Sequence, residues 1–263
     1  MRSAGASSER LIAAFSSVER ERYVGKGPWH VFTGSGYIPT VSDDPSVLYQ
    51  DVLVGLATER GINNGQPSLH ALCLAACAPR DGESVVHIGA GTGYYTAILA
   101  ALIGETGRIV AYEIDAALAD QARDNLKSLP NVRVVAASAA EAALPNADLV
   151  YVNAGATHPL ASWLDALNVD GRLIFPLTPN EGYGCMLMVT RRGPSSFAAS
   201  VVSRAQFIPC IGARDDAASK ALSAALEPAK SLNTVKSLQR GTQPDTTAWC
   251  IGKGWWLSTA EAA

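Results

Sequence analysis

Three glycines in five positions, Gly89, Gly91 and Gly93, separate a short apolar run (Val85 to Ile88) from a run with helical spacing (Tyr95, Ile98, Leu99, Leu102). Strand, glycine turn and helix open a nucleotide-binding βαβ unit. A Cβ in such a turn would block a positive-φ bend or the close approach of a ligand. The helix N-terminus beyond it offers free N–H groups and a partial positive charge, which suits a carboxylate. The spacing is G-x-G-x-G, so the G-x-G-x-x-G pattern that serves a pyrophosphate is absent. About 20 residues past the last glycine, Glu113 closes the run R-I-V-A-Y, where an acid grips ribose hydroxyls.

Other residues carry weaker signals. Asn153 ends the run D-L-V-Y-V, and ligands of open α/β sheets meet the carboxyl ends of strands. His87 is internal to the first apolar run, where it reads equally as a core histidine. His158, in A-T-H-P, and His30 are the histidines outside the core that could act as a general base. Asp115 reads as a cap for the helix that follows. Cys73 and Cys77 lie four apart but have no His/Cys partners at zinc spacing, so they read as buried small residues, and no metal is expected. The five tryptophans, Trp255 and Trp256 above all, read as core or interface.

The elements that must position these residues follow from periodicity and breakers. A helix is expected over Ser8 to Arg22, capped by Ser7 or Ser8. A loop-rich stretch from Gly25 to Pro45 holds a short strand at Trp29 to Phe32, and the β-branched content of Val47 to Ala57 leans to strand. Asn63, Asn64 and Gly65 form a turn, and Pro67 opens a helix that ends at Pro79. Strands are expected at 85–88, 108–112, 132–136, 148–152, 172–177, 184–192 and 200–208. Helices are expected at Ala116 to Leu129, Ala139 to Ala143, Pro159 to Leu167 and Asp215 to Leu226. Pro228 to Gln243 is polar and unassigned, and Thr247 to Ser258 reads as a terminal hairpin.

This is an α/β chain: a doubly wound, Rossmann-like, mostly parallel seven-stranded sheet with an N-terminal cap and a C-terminal hairpin extension. The organisation expected is a cap and loop region over 1–79, a cofactor-binding domain over 80–214 and a C-terminal helix and hairpin over 215–263. Length (263 residues) and 48% hydrophobic content support a full core. Net charge is −3 and the pI about 5.8, with no basic run, which argues against nucleic acid. No stretch approaches the ~18 apolar residues of a membrane span, and the first residues lack the apolar segment of a signal peptide. Five irregularly spaced cysteines fit reduced thiols in the cytoplasm.

Glycine turn, ribose acid and strand ladder together resemble a class I S-adenosylmethionine-dependent methyltransferase. The order of parts from Leu11 to Arg214 resembles more narrowly the protein-L-isoaspartate O-methyltransferase family. V-E-R-E-R-Y-V-G (Val18 to Gly25) looks like that family's "pRe-F-V-p" phrase. N-N-G-Q-P (Asn63 to Pro67) occupies the place of "T-I-S-x-P". A-D-L-V-Y-V-N-A-G and L-N-V-D-G-R-L-I-F-P-L-T match its "Y-D-A-I-x-V-x-A-A" and "L-x-x-G-G-R-L-x-x-P-x-G", and Q-F-I-P-C echoes "F-V-P-L". Three positions depart from the pattern. The family serine falls on Gly65, the first-strand acid on His87, and "G-D-G" on Ala137, Ser138 and Ala139.

The resemblance implies S-adenosylmethionine as cofactor and S-adenosylhomocysteine as product. It places the cofactor on Gly89, Ala90, Gly91, Thr92, Gly93 and Tyr94, with Glu113 and Ile114 at the ribose and Ser138 and Ala139 at the adenine. His87, internal to its strand, could reach the methionine amine, Asn153 follows at the end of the fourth strand, and Gln66 and His70 at the donor pocket. Asn64 and His158 are the candidate catalytic residues. The implied activity is O-methylation of a carboxylate on a protein, peptide or small acid. A hydroxyl O-methyltransferase of small molecules and a non-catalytic cofactor-binding module are the alternatives. A carboxylate is ionised at neutral pH and needs no general base, whereas a hydroxyl does. With Gly65 in the serine place, methylation of an isoaspartyl peptide is expected to be weak or absent.

Overall fold

The computed structural model describes residues 8–227 and 231–262. Ser7 as a cap, and Pro228 to Lys230 of the unassigned stretch, lie outside the described residues. In chain order the strands are β1 (His30–Phe32), β2 (Tyr37–Pro39), β3 (Gly55–Ala57), β4 (Ile62–Asn63), β5 (Ser84–Ile88), β6 (Arg108–Glu113) and β7 (Val132–Ala136). They continue with β8 (Ala147–Val152), β9 (Leu167–Leu177), β10 (Gly184–Arg191), β11 (Phe197–Ala205), β12 (Ser237–Arg240), β13 (Ala248–Gly252) and β14 (Trp255–Ser258). The helices are α1 (Glu9–Ser17), α2 (Pro67–Cys77), α3 (Tyr94–Ile103), α4 (Ala116–Leu126), α5 (Ala161–Asp165) and α6 (Asp216–Ala225). The fold is α/β, as the strand–helix alternation implies. None of these helices is long and apolar enough to cross a membrane.

The chain packs as two compact units, one of residues 1–83 and 89–137, the other of 84–88 and 138–263. In the first unit α1 lies against α3. Helix α3 is buried along almost its whole length, and α4 turns Leu118, Ala119, Ala122 and Leu126 inward. Strands β6 and β7 pair in parallel, Glu113 opposite Ala136. Two small antiparallel hairpins, β1–β2 and β3–β4, surround a core of Val24, Trp29, Leu48 and Val54. The expected helix over Ser8 to Arg22 stops at Ser17. Val18 is extended and Arg20–Tyr23 form a 3-10 turn, because Arg20 is drawn into the interior. Tertiary contact overrides a sequence with good helix propensity there. The strand expected across Val47 to Ala57 is only Gly55–Ala57, and Pro45–Tyr49 is a 3-10 turn capped by Asp44.

In the second unit eight strands run in the order β13-β14-β12-β11-β10-β9-β8-β5. Strands β5, β8 and β9 are parallel neighbours, and every pairing from β9 outward is antiparallel. All seven strands expected between Val85 and Ile208 form. Beside the expected hairpin β13–β14 stands one strand more, β12, from the stretch left unassigned. The run Leu149 to Val152 is wholly buried, as a strand covered on both faces must be. Ala139 to Ala143, expected as a helical piece, is a turn. All five tryptophans are buried, which settles them in the core.

Candidate cofactor and acceptor site

The glycine turn is built in the first unit. Gly89 and Ala90 both donate their N–H groups to the Tyr112 carbonyl, and Gly93 donates to Ala90. Gly89, Gly91 and Gly93 all have positive φ. At Gly93 glycine is needed twice over: φ is +96°, and a Cβ would lie 2.7 Å from Leu126 Cδ1. Glu113 is buried beside this turn. Its Oε2 accepts from the Gly91 N–H at 2.7 Å and its Oε1 from the Asp115 N–H at 3.0 Å. Burial pushes its pKa up, and the two backbone donors pull partly against that. Each oxygen keeps a lone pair for a further donor, which is what a ribose diol supplies.

Ile114, half exposed, follows Glu113, and Asp115 caps α4 through the Leu118 N–H while pairing with Arg60. The Arg60 guanidinium holds Asp115 below the usual carboxylate range. Thr92 and Tyr94 turn inward. Thr92 Oγ1 donates to the Tyr23 carbonyl, and the Tyr94 ring is 4% exposed.

The stretch from Asn63 to His70 lies in the same unit. Asn63 Oδ1 accepts from the Gly65 N–H at 2.9 Å, and its Nδ2 donates to the Tyr37 hydroxyl at 3.0 Å. Gly65 has φ +62°, and its carbonyl accepts from Arg20 Nη2 at 3.0 Å and from the Tyr95 hydroxyl at 3.3 Å. His70 is 2% exposed and stacks on Tyr95, ring centroids 3.6 Å apart. Gln66 Nε2 donates to Asp51 Oδ2 at 2.6 Å, and Ser68 gives Asp51 both its N–H and its hydroxyl. Asp51 thus straps the start of α2.

The remaining candidates belong to the second unit. His87 is fully buried on β5, and burial lowers its pKa to about 3. The neutral ring accepts at Nε2 from Asn153 Nδ2, 2.8 Å away. That leaves Asn153 Oδ1 sealed from solvent with no donor among the described residues. Ser138 Oγ accepts from the Ala140 N–H, and the Ala139 carbonyl accepts from Trp163 Nε1. His158 is half-buried with Nδ1 3.0 Å from Thr157 Oγ1, and its pKa is lowered chiefly by burial. The structure therefore joins glycine turn with Glu113, Asn63 with Gly65, and His87 with Asn153. Sequence reasoning missed Arg20, Asp51 and Tyr95, which touch these residues from far along the chain.

The His87 shift has a consequence for stability. Unfolded, the ring takes a proton near pH 6.5; folded, it stays neutral down to about 3. The unfolded state binds more protons in that window, so stability is lost as pH falls through it, by about 1.4 kcal/mol per pH unit. Denaturant melts of His87→Gln between pH 7 and pH 4 should show a shallower acid slope than the wild type; an identical slope would refute this.

The family model for protein-L-isoaspartate(D-aspartate) O-methyltransferase (PCMT) matches residues 1–215. The chain belongs to this family. Protein-L-isoaspartate O-methyltransferase of Methylorubrum populi is 35% identical over 149 residues, 56% of this chain and 68% of that one. The protein of the same name from Bradyrhizobium sp. is 29% identical over 215 residues, 80% of this chain and 90% of that one. Among solved structures, a PCMT-type chain from Plasmodium falciparum in complex with S-adenosyl-L-homocysteine superposes with a TM-score of 0.64 at 16% identity, covering 80% of this chain and 94% of that one. A further protein-L-isoaspartate O-methyltransferase gives 0.65 at 23% identity, covering 77% of this chain and 61% of that one. These likenesses fix the Rossmann-like fold. The family match ends where α6 begins, so β12 to β14 lie beyond it.

Proposed function

We propose that the protein transfers the methyl group of S-adenosylmethionine to a carboxylate oxygen of a protein or peptide. The observation that carries this reading is the glycine turn tied to Glu113 through the Gly91 N–H. A buried carboxylate with spare lone pairs on both oxygens fits a ribose diol. When bound, the cofactor supplies an activated methyl on a sulfonium sulfur. The protein's part is to hold donor and acceptor in line and to keep the acceptor oxygen free of bound protons. In the Asn63 to Gln66 stretch, Asn64 Nδ2 is the amide donor left without an acceptor among the described residues, and it suits an oxygen-rich acceptor. Five buried cysteines, with the Cys73 and Cys185 thiols pushed up to about 12 by burial, fit a reducing cytoplasm. The net charge of −3 argues against a nucleic-acid acceptor.

The test has two parts. Calorimetry with S-adenosylhomocysteine should give saturable binding, and labelled methyl groups should appear on aspartyl or isoaspartyl peptides as base-labile esters. Base-stable product would point to a hydroxyl acceptor instead. An ionised carboxylate needs no base, so His158→Gln should keep kcat within about threefold and leave the pH profile flat between pH 6 and 8. A hundredfold loss, with a new pH limb, would make His158 a base and overturn the carboxylate reading.

A further inference from the structure

Arg20 is 1% exposed, yet none of its partners is an acid. Nε donates to Asn64 Oδ1 at 2.9 Å, Nη1 to the Leu48 carbonyl at 2.9 Å, and Nη2 to the carbonyls of Val52 and Gly65 at 2.9 and 3.0 Å. The guanidinium carbon stands 5.6 Å over the Tyr94 ring. All these oxygens and the ring face are neutral, and no described carboxylate forms an ion pair with it. A buried cation without a counter-charge is expensive to keep, and its field is poorly screened.

The effect of this charge on Asn64 is specific. A carboxamide has an acceptor end and a donor end, but a guanidinium can only donate. Nε therefore fixes Oδ1 inward and turns Nδ2 away from the cation. Asn64 is itself buried, its backbone N–H held by the Val54 carbonyl at 2.7 Å. Its Nδ2 has no acceptor among the described residues and is not sealed from solvent. A cation on the oxygen of an amide also draws charge from its nitrogen and strengthens the N–H as a donor.

We propose that Arg20 is a positioning residue for an anionic acceptor: it locks the Asn64 carboxamide so that Nδ2 donates to the acceptor carboxylate, while its own unpaired charge favours that anion. This rests on the carboxylate reading above.

Arg20→Met tests the idea crudely, because removing a buried four-bond hub can unfold the chain. Asn64→Asp tests it cleanly. It keeps the shape and the Arg20 contact, gives the cation a partner, and replaces the donor with a second anionic acceptor. The full chain would be assayed with an aspartyl and an isoaspartyl peptide of one sequence, taking whichever the wild type methylates faster. The expected result for Asn64→Asp is a melting temperature equal to or above wild type, S-adenosylhomocysteine affinity within twofold, and peptide KM raised at least tenfold. An Asn64 that only braces Arg20 and does not face the acceptor predicts the same stability with KM unchanged, and KM within twofold of wild type overturns the inference alone. Wild type that binds S-adenosylhomocysteine but methylates neither peptide overturns the carboxylate reading, and this inference with it.

Discussion

Glu113→Ala should weaken S-adenosylhomocysteine binding by about 100-fold or more. Two effects add. The first is the loss of charged hydrogen bonds to the ribose, each worth about 1.5–3 kcal/mol. The second is local: Oε2 and Oε1 hold the Gly91 and Asp115 N–H groups, so removing the carboxylate frees the glycine turn and the entry to α4 together. Glu113→Gln is the informative partner. Its amide must turn one donor toward one of those two N–H groups, so it should bind more weakly than wild type although its size is unchanged. Acid should act in the same direction. Burial raises the Glu113 pKa above the usual carboxylate range. The ionised form is the one that accepts two donors on each side, so affinity should start to fall at a pH above 4.5 and drop by up to tenfold per unit below that point. Calorimetry from pH 8 to pH 4.5 would detect it, and wild-type affinity in Glu113→Ala would remove Glu113 from the site.

The parts of this site that were legible in the sequence are those whose constraint is local. A run of positive-φ positions demands glycine, so Gly89, Gly91 and Gly93 announce their turn. An acid at the end of the next strand is placed by strand length alone, and Asp115 caps α4 as its position before the helix implies. The residues that went unread are joined across long stretches of chain. Arg20 meets Asn64, 44 positions on, and nothing in V-E-R-E-R marks one arginine as buried and the next, Arg22, as exposed. Asp51 likewise reaches Gln66 and Ser68 from a loop whose own pattern suggested a strand. Strand β12 was unreadable for a different reason. S-L-Q-R lies in a polar stretch and becomes a strand by pairing with β11 and β14.

Gly65→Ser should cost about 3–5 kcal/mol of stability, enough to lower the melting temperature by roughly 10 °C in a chain of this size. Serine is the residue the family phrase T-I-S-x-P carries at this place, so on paper it is a restoration. The structure argues otherwise. Gly65 sits at φ +62°, in the left-handed region that costs a non-glycine residue about 1–2 kcal/mol. A Cβ there would lie 2.5 Å from His70 Nε2 and 3.2 Å from Tyr95 Cε2. Neither ring can easily withdraw, because each is buried and stacked on the other. Nor can the backbone readily turn, since Gly65 is held at its N–H by Asn63 and at its carbonyl by Arg20 and Tyr95. The imidazole thus occupies the space a side chain at position 65 would need. It follows that Gly65→Ser alone should not speed methylation of an isoaspartyl peptide. Combined with His70→Ala, which empties the space, it should recover part of the lost stability, and only there can a serine hydroxyl take up its place at the loop. Thermal scans of both single variants and the double variant, each paired with an isoaspartyl peptide assay, read the two effects separately. A wild-type melting temperature in Gly65→Ser, or a double variant no more stable than that single change, would show that the His70 ring is not what excludes a side chain from position 65.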